Sequence, residues 1–304
     1  MNARRQVAFA TAFATLALTG CRGCGDEAKT APASAQASAS SAVAAPDPAT
    51  AVAAPAPATP AYDGPSSKAA DGYQLSTGFL DVHNKPLPQP KAGEQTAIYT
   101  TALDPAGHPL GTLEPLGSAE MFGFLVARDL RHTLVASAAA PVREGADARA
   151  LTFAPPGGGD HALVAVFRAQ GGAAHAVISP VSVAGSLPQL MGPGLNGLGL
   201  RADTSQEHVE LLLLPADRTP TAPLELQLQD VDSQGRHKGP VTVPFAVLVD
   251  PPMGRARVLE PSGEPPRLRW EAPEPGEWLV LIAPKKGDRA LAFHLTIPNP
   301  SDKK

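Results

Sequence analysis

Histidine, methionine and cysteine are the residue types in this chain that could bind a metal ion or carry redox chemistry. The eight histidines are scattered, and no two stand two residues apart, as a metal site on one strand face requires. They are His83, His108, His132, His161, His175, His208, His237 and His294. His161 begins an apolar run and shares a face with Leu163 and Phe167. This position predicts either a surface residue at a strand end or a partly buried, hydrogen-bonded one.

The two cysteines, Cys21 and Cys24, have the C-x-x-C spacing of a redox pair. A redox pair sits at a strand-to-helix turn, whereas these cysteines directly follow a signal-like apolar run. No cysteine follows Cys24, so the predicted folded part has neither a disulfide nor a thiolate-ligated metal site. We expect no redox chemistry from this pair.

The chain contains one short match to a phosphate-binding motif. Residues 192–197 match the G-x-G-x-x-G pattern, but a phosphate site needs a strand before the motif and a helix after it. Here a linker precedes the motif and a strand-like stretch follows, which predicts a hinge. The sequence contains no G-x-S-x-G elbow, no H-E-x-x-H motif and no Walker loop. We therefore expect no enzyme activity and no cofactor.

The N-terminus has the three zones of an export signal. Arg4 and Arg5 precede an apolar run at 7–18, which is too short to span about 30 Å of hydrocarbon. The segment Leu18-Thr19-Gly20-Cys21 resembles the bacterial lipobox. This resemblance implies that residues 1–20 are a signal peptide, and that Cys21 is acylated, palmitate included, and becomes the new N-terminus. The alternative is an ordinary secretory signal, which would leave a soluble periplasmic protein.

The anchor also implies a location. Several acyl chains hold a protein firmly, since each buried methylene contributes about 0.8 kcal/mol. In the lipoproteins that this segment resembles, Asp after the lipidated cysteine retains the protein at the inner membrane. Arg22 stands there instead, which favours the outer membrane, facing the periplasm or the cell surface. Cys24 would remain as a free or intermolecular thiol.

Composition separates a linker from a folded part. The formal net charge is -4 with both signs interspersed, so nucleic acid is not an expected partner. Residues 26–70 are mostly Ala, Pro, Ser and Thr, with almost nothing large and apolar to bury. The sequence predicts that 21–71, with the lipidated cysteine, is a disordered linker. It is either a tether that lifts the folded part off the membrane or an inert spacer.

Short apolar runs separated by Gly, Pro and Asp turns predict strands throughout 72–298, and no helical periodicity occurs there. The fold class is therefore all-β. About seven strands in each half predict two tandem immunoglobulin-like antiparallel sandwiches, at 72–185 and 200–298, with a hinge at 186–199 and a tail at 299–304. Asp-x-x-Gly turns that begin at Asp104 and Asp232 mark an internal repeat.

The stretch 114–132, together with Phe153 and the run 163–167, resembles a family of secreted bacterial β-sandwich domains. These immunoglobulin-like or cupredoxin-like domains sometimes occur with copper-handling envelope proteins and carry a Met-His pair and a His-x-His-Pro stretch. This chain has Met121-Phe122 where the family has Met-His, and only Met121 and His132 remain of the implied ligands. A copper site needs three or four converging N and S ligands, so the resemblance implies the fold rather than the metal.

The sequence thus predicts a membrane-anchored envelope lipoprotein with a non-enzymatic binding or structural role. Its expected partners are membrane lipid, through acylated Cys21, and an unknown envelope protein. The alternative is a periplasmic copper-binding accessory protein with Met121, His132 and either His161 or His175 as ligands.

Overall fold

The computed structural model describes residues 67–68, 71–128, 130, 132–186, 199–203, 207–214, 223–285 and 287–299. All of them belong to one compact unit, Ala58–Lys304. The other unit, Met1–Pro57, lies outside the described residues. So do the predicted signal peptide, nearly all of the predicted linker and residues 187–198 of the predicted hinge.

Within these ranges the chain forms twenty strands and no helix, so the all-β prediction is confirmed. The first ten are β1 Ser67–Lys68, β2 Gln74–Leu80, β3 Pro86–Leu87, β4 Thr96–Leu103, β5 Leu113–Glu114, β6 Met121–Ala127, β7 Thr133–Ala138, β8 Ala148–Phe153, β9 Gly159–Ala169 and β10 Ala174–Val183. The second ten are β11 Arg201–Asp203, β12 His208–Leu214, β13 Leu224–Val231, β14 His237–Val241, β15 Ala246–Val249, β16 Ala256–Leu259, β17 Pro261–Ser262, β18 Arg267–Trp270, β19 Gly276–Ile282 and β20 Leu291–Ile297.

The strands form four antiparallel sheets, two in each half of the chain. Sheet I has the order β1-β2-β4-β8, with β3 on β2, and sheet II the order β10-β9-β6-β7, with β5 on β9. Sheet III has the order β16-β15-β19-β20, and sheet IV the order β11-β12-β13-β18-β17, with β14 on β13. Sheets I and II form the first immunoglobulin-like sandwich, and sheets III and IV form the second.

The two sandwiches share one topology, as the predicted repeat implies. The order β2-β4-β8 in sheet I matches β12-β13-β18 in sheet IV, and β10-β9-β6-β7 in sheet II matches β20-β19-β15-β16 in sheet III. The predicted turns match as well. The Asp104 carboxylate accepts the N–H of His108 at 2.8 Å, and the Asp232 carboxylate accepts that of Arg236 at 2.9 Å.

Three apolar cores separate the four sheets. Core A lies between sheets I and II, core B between sheets II and III, and core C between sheets III and IV. Sheets II and III are therefore covered on both faces. This explains why the central residues of β6, β9, β15 and β19 are continuously apolar and buried, whereas β2, β4 and β12 alternate between buried and half-exposed residues.

Core B joins the two sandwiches. Phe245 of the second sandwich meets Phe122 and Phe124 of the first edge to face, with ring centroids 5.0 and 6.3 Å apart. Edge-to-face aromatic pairs at such distances are favourable beyond the area that they bury. The two sandwiches thus share a continuous apolar core in addition to their covalent connection.

The edges of sheets II and III meet along two sides of core B, and we call each of these lines of contact a seam. At the first, which we name the closed seam, β7 is bonded to the residues that lead into β20: the N–H of Val135 donates to the Asp288 carbonyl at 2.7 Å, and that of Ala290 to the Thr133 carbonyl at 3.0 Å. At the second, the open seam, β10 lies beside β16, and no backbone hydrogen bond joins these two strands in the described part of the chain. By the shared topology, the two seams are equivalent.

Candidate functional site

A cleft of about 1190 Å³ lies at the open seam. Its walls come from three sheets: Thr77 and Phe79 of β2 in sheet I, Ala176, Ile178 and residues 180–182 of β10 in sheet II, and the β15–β16 turn of sheet III. Because β10 and β16 are the edge strands of their sheets, the cleft presents backbone as well as side chains.

Strand β10 supplies the apolar wall. Ala176 and Ile178 lie on its core B face, Ala176 buried and Ile178 half-buried against that core. Pro180 follows on the same face and is exposed. Proline has no N–H to donate, so at this position β10 cannot donate to an added strand. This wall therefore offers an apolar surface, and its edge can form only some of the backbone hydrogen bonds that an added strand would need.

The turn opposite β10 is built around Asp250, whose side chain is buried. Its Oδ1 accepts the N–H groups of Gly254 at 2.7 Å and Arg255 at 2.8 Å, and its Oδ2 accepts from Arg255 Nε at 3.0 Å. Met253 has a φ of 57°, in the left-handed region that residues with a side chain rarely adopt. Its half-buried side chain packs against core B and lines the cleft, so the turn is held rigidly with an apolar residue at the seam.

Arg255 fixes the charged rim of this turn. Its guanidinium lies 5.0 Å from the centre of the Trp278 ring and forms an ion pair with Glu274. The hydrogen bond with Asp250, and then the charges of Glu274 and Asp250, hold the pKa of Arg255 above its ordinary value. These contacts orient the Arg255 guanidinium at the rim of the cleft.

The opposite end of the cleft is also polar. Arg128 and Asp160 form an exposed ion pair at 2.9 Å. His161 is buried, and its Nδ1–H donates to the Gly159 carbonyl at 3.0 Å, the acceptor fixing the tautomer. This confirms the second of the two alternatives for His161, the buried and hydrogen-bonded one.

The cleft thus has apolar walls and charges at its ends. Arg128, Asp160 and Arg255 are each held in ion pairs within the chain. Such a surface favours an extended and mostly apolar segment, which contacts the walls and uses exposed edge backbone.

The structure does not bring Met121 and His132 together. Met121 begins β6 and is fully buried in core A, whereas His132 lies beyond the other end of β6, where its carbonyl accepts the N–H of Ala127 at 2.9 Å. Ala127 lies six residues after Met121 along β6, a span of about 20 Å. His161, which pairs with Ala127, belongs to the His132 end.

His175 lies at the Met121 end, in the same row across sheet II with Phe167 between them. Its ring is stacked on Tyr73 with a centroid distance of 3.9 Å, and its Nδ1 contacts the Asp71 carboxylate. The four proposed ligands are therefore divided into two pairs at opposite ends of β6. His175 instead connects the residues before β2 to the edge of sheet II.

Cys21, the predicted lipidation site, and Cys24 lie outside the described residues. Among the described residues, no group of three or more His, Cys, Asp or Glu side chains is placed to hold a metal ion. Within the same ranges, no helix has the length and apolar character needed to cross a bilayer.

Sequence reasoning missed the cleft and its turn residues Asp250, Met253 and Arg255. One local signal was present: Asp250 follows an apolar run and precedes Pro251-Pro252, which predicts a turn. Nothing in the sequence indicated that this turn would face β10, because the two are about seventy residues apart and belong to different sandwiches.

No protein-family model matches the chain, and no curated protein matches it. Among solved structures, the chain is similar to FdeC, an Escherichia coli adhesin, with 16% sequence identity and a TM-score of 0.25. The match covers 77% of this chain and 66% of the FdeC chain.

Proposed function

We propose that this chain is a cell-envelope lipoprotein, held to a membrane by acyl chains on Cys21, with a non-enzymatic binding or structural role. The observation that carries the anchor is Leu18-Thr19-Gly20-Cys21, placed directly after a signal-like apolar run. Arg22 after the cysteine supports the outer membrane as the location. The Ala- and Pro-rich linker would then connect the anchor to the folded part.

Core B supports the binding or structural role. A structural protein or a binding scaffold has to keep its surfaces in a fixed arrangement, and a shared apolar core does this better than a linker alone. Phe245 makes edge-to-face contacts with both Phe122 and Phe124 across this core.

Labelling with radioactive palmitate in a bacterial host tests the anchor. Cys21→Ala should abolish labelling and leave an uncleaved precursor, because the lipidating enzyme needs this thiol. Cys24→Ala is the matched control, and it should be labelled and cleaved like the natural chain. Normal labelling of Cys21→Ala would overturn the proposal, and so would a natural chain that is cleaved but unlabelled and soluble, as the ordinary secretory signal predicts.

A further inference from the structure

The outer face of sheet I, which points away from core A, carries no charged side chain on its three long strands. Residues of β2, β4 and β8 alternate between buried ones on the core A face and more accessible ones on the outer face. None of the outer side chains belongs to a core in the described part of the chain. The outer residues are Gln74, Ser76, Gly78 and Leu80 of β2, Ala97, Tyr99, Thr101 and Leu103 of β4, and Ala148, Ala150 and Thr152 of β8.

The corresponding face of sheet IV is charged. Strands β12, β13 and β18 take the places of β2, β4 and β8 there, and their outer residues include Glu210, Glu225, Arg267 and Arg269. Ala97 and Glu225 lie at the same distance before the two equivalent Asp turns. Their cross-strand partners, Thr152 and Arg269, are therefore equivalent as well. Sheet I thus has uncharged residues at positions where the equivalent sheet has an acid and a base.

The outer face of sheet I has an aromatic centre and exposed apolar residues at its border. Tyr99 lies between Gly78 and Ala150 in the strand register, so it is the largest side chain in the middle of the face. Val82, 65% exposed, follows β2, and Val142, 38% exposed, donates its N–H to the first carbonyl of β8 at 3.0 Å. Because β2 and β8 run in the same direction, the end of β2 and the start of β8 are opposite corners of the face.

We propose that the outer face of sheet I is the interface of a homodimer, in which two copies of this chain pack face to face about a two-fold axis. In such an interface the same patch of both copies is used, so the patch has to be complementary to itself. An uncharged face can meet its own copy without bringing like charges together or burying them unpaired. This proposal goes beyond the envelope role and does not depend on the lipid anchor.

The size of the face predicts a weak dimer. Strand spacing and rise give the outer surface of β2, β4 and β8 dimensions of about 24 Å by 15 Å. Two such faces with their bordering valines would bury roughly 700–1,000 Å² in total, below the range of about 1,200 Å² at which stable complexes begin. Tyr99 should contribute most of the affinity, because a central aromatic side chain is the common hot spot of an interface.

Sedimentation equilibrium of the full chain with Cys24→Ser, in a detergent matched in density to the buffer, tests the proposal. We expect a reversible monomer–dimer equilibrium that Tyr99→Glu weakens at least tenfold, because a carboxylate from each copy would then be buried without a partner. Gln227→Glu, at the equivalent position of sheet IV, is the matched control and should change the dissociation constant less than twofold. A chain that stays monomeric up to about 1 mM would overturn the proposal, and so would equal weakening by both variants.

A second variant guards against loss of folding in Tyr99→Glu. Ala97→Glu combined with Thr152→Arg gives sheet I the residues that sheet IV carries at the equivalent positions, so the strand pair should remain folded. An unchanged urea midpoint would show this, and the dimer should again weaken at least tenfold. A dimer that persists at full affinity in this variant would overturn the proposal, since another surface would then join the copies.

Cysteine cross-linking in bacterial membranes provides an independent measurement. In the chain with Cys24→Ser, Thr101→Cys lies on the outer face of sheet I, and Gln229→Cys lies at the equivalent position of sheet IV. A short bismaleimide should link two copies of Thr101→Cys at least ten times faster than two copies of Gln229→Cys, after correction for the reactivity of each thiol with a single maleimide. Equal rates would contradict packing through sheet I.

Discussion

The closed and open seams of core B are formed by equivalent strands, yet only one is joined by backbone hydrogen bonds. At the closed seam, β7 offers the Thr133 carbonyl and the Val135 N–H, and residues 288–290 supply the complementary groups. At the open seam, Pro180 interrupts the edge of β10, and the cleft separates β10 from the β15–β16 turn. One topology can therefore form a hydrogen-bonded joint on one side and leave a cleft on the other, depending on a few edge residues.

The hairpin turns beside the seams repeat this contrast. Leu130, after β6, and Met253, after β15, are equivalent, with φ of 60° and 57°. The N–H of each donates to the carbonyl three residues before it, Ala127 or Asp250, at 2.8 Å in both turns. Both side chains pack against core B, but Leu130 is buried whereas Met253 is half-buried and faces the cleft.

The largest effect should come from removing the contact that joins the sandwiches. Phe245→Ala should cost about 3–5 kcal/mol and separate the unfolding of the two sandwiches. Trp270 and Trp278, the only tryptophans, lie in the second sandwich, so their fluorescence reports on it while circular dichroism reports on both. Phe293→Ala, equally buried in core C, is the control and should destabilise the second sandwich alone. Coincident transitions in Phe245→Ala would mean that the two sandwiches remain coupled without Phe245, and that this contact is not the one that joins them.

Glycine substitutions at Leu130 and Met253, the two equivalent left-handed positions, should show how much backbone strain and side-chain packing each contribute to stability. Relief of a left-handed conformation is worth about 1 kcal/mol, whereas loss of a buried leucine side chain costs more. Leu130→Gly should therefore destabilise by about 2 kcal/mol, and Met253→Gly should change stability by less than about 1 kcal/mol. Urea midpoints of the two variants measure the difference. A larger loss in Met253→Gly would show that the cleft is covered more completely than the described residues indicate.

Substitutions to and from proline compare how much backbone hydrogen bonding at each seam contributes to stability. Ala290→Pro removes the N–H that donates to Thr133 at 3.0 Å and should cost about 1–2 kcal/mol. Pro180→Ala restores an N–H at the open seam and should change stability by less than about 0.5 kcal/mol. Thermal unfolding of both variants provides the measurement. Equal effects would contradict the distinction between the seams.

The Asp turns of the two sandwiches should respond alike to pH. The N–H of His108 lowers the pKa of Asp104, and that of Arg236 lowers the pKa of Asp232. A lowered folded-state pKa adds stability above the unfolded value, near 3.8, and this stability is lost as the pH falls through the folded value. Both sandwiches should weaken below about pH 4. Asp104→Asn and Asp232→Asn should each reduce this acid sensitivity, as urea unfolding between pH 2 and 6 can measure, and a larger sensitivity would contradict the assignment.

The smallest effect is expected from metal ions. Because Met121 and His132 lie at opposite ends of β6, calorimetry should find no binding of Cu(I), Cu(II) or Zn(II) tighter than about micromolar. Met121→Leu and His132→Ala should leave the titration unchanged. Stoichiometric nanomolar copper binding that either variant abolishes would support the copper-binding alternative.

The strands were predictable because each carries its own signal. Runs such as Val209 to Leu214 and Trp278 to Ile282 were expected as strands, and β12 and β19 contain them. The matching turns at Asp104 and Asp232 were predictable for the same reason, since a turn depends on neighbours within a few residues. The candidate site was not predictable, because Ile178 and Met253 meet only when two sandwiches pack through core B.

The sequence by itself determined the all-β class, the two tandem sandwiches and the repeat, since these follow from local periodicity and turn chemistry. It also contains the basis for the proposed anchor at Cys21, which needs no tertiary structure. Only the tertiary structure decided that sheets II and III pack together, because a continuous apolar run predicts burial on two faces without naming the partner. Only the tertiary structure, too, separated Met121 from His132 and left one seam open, since long-range contacts fix the distance between residues far apart in the chain.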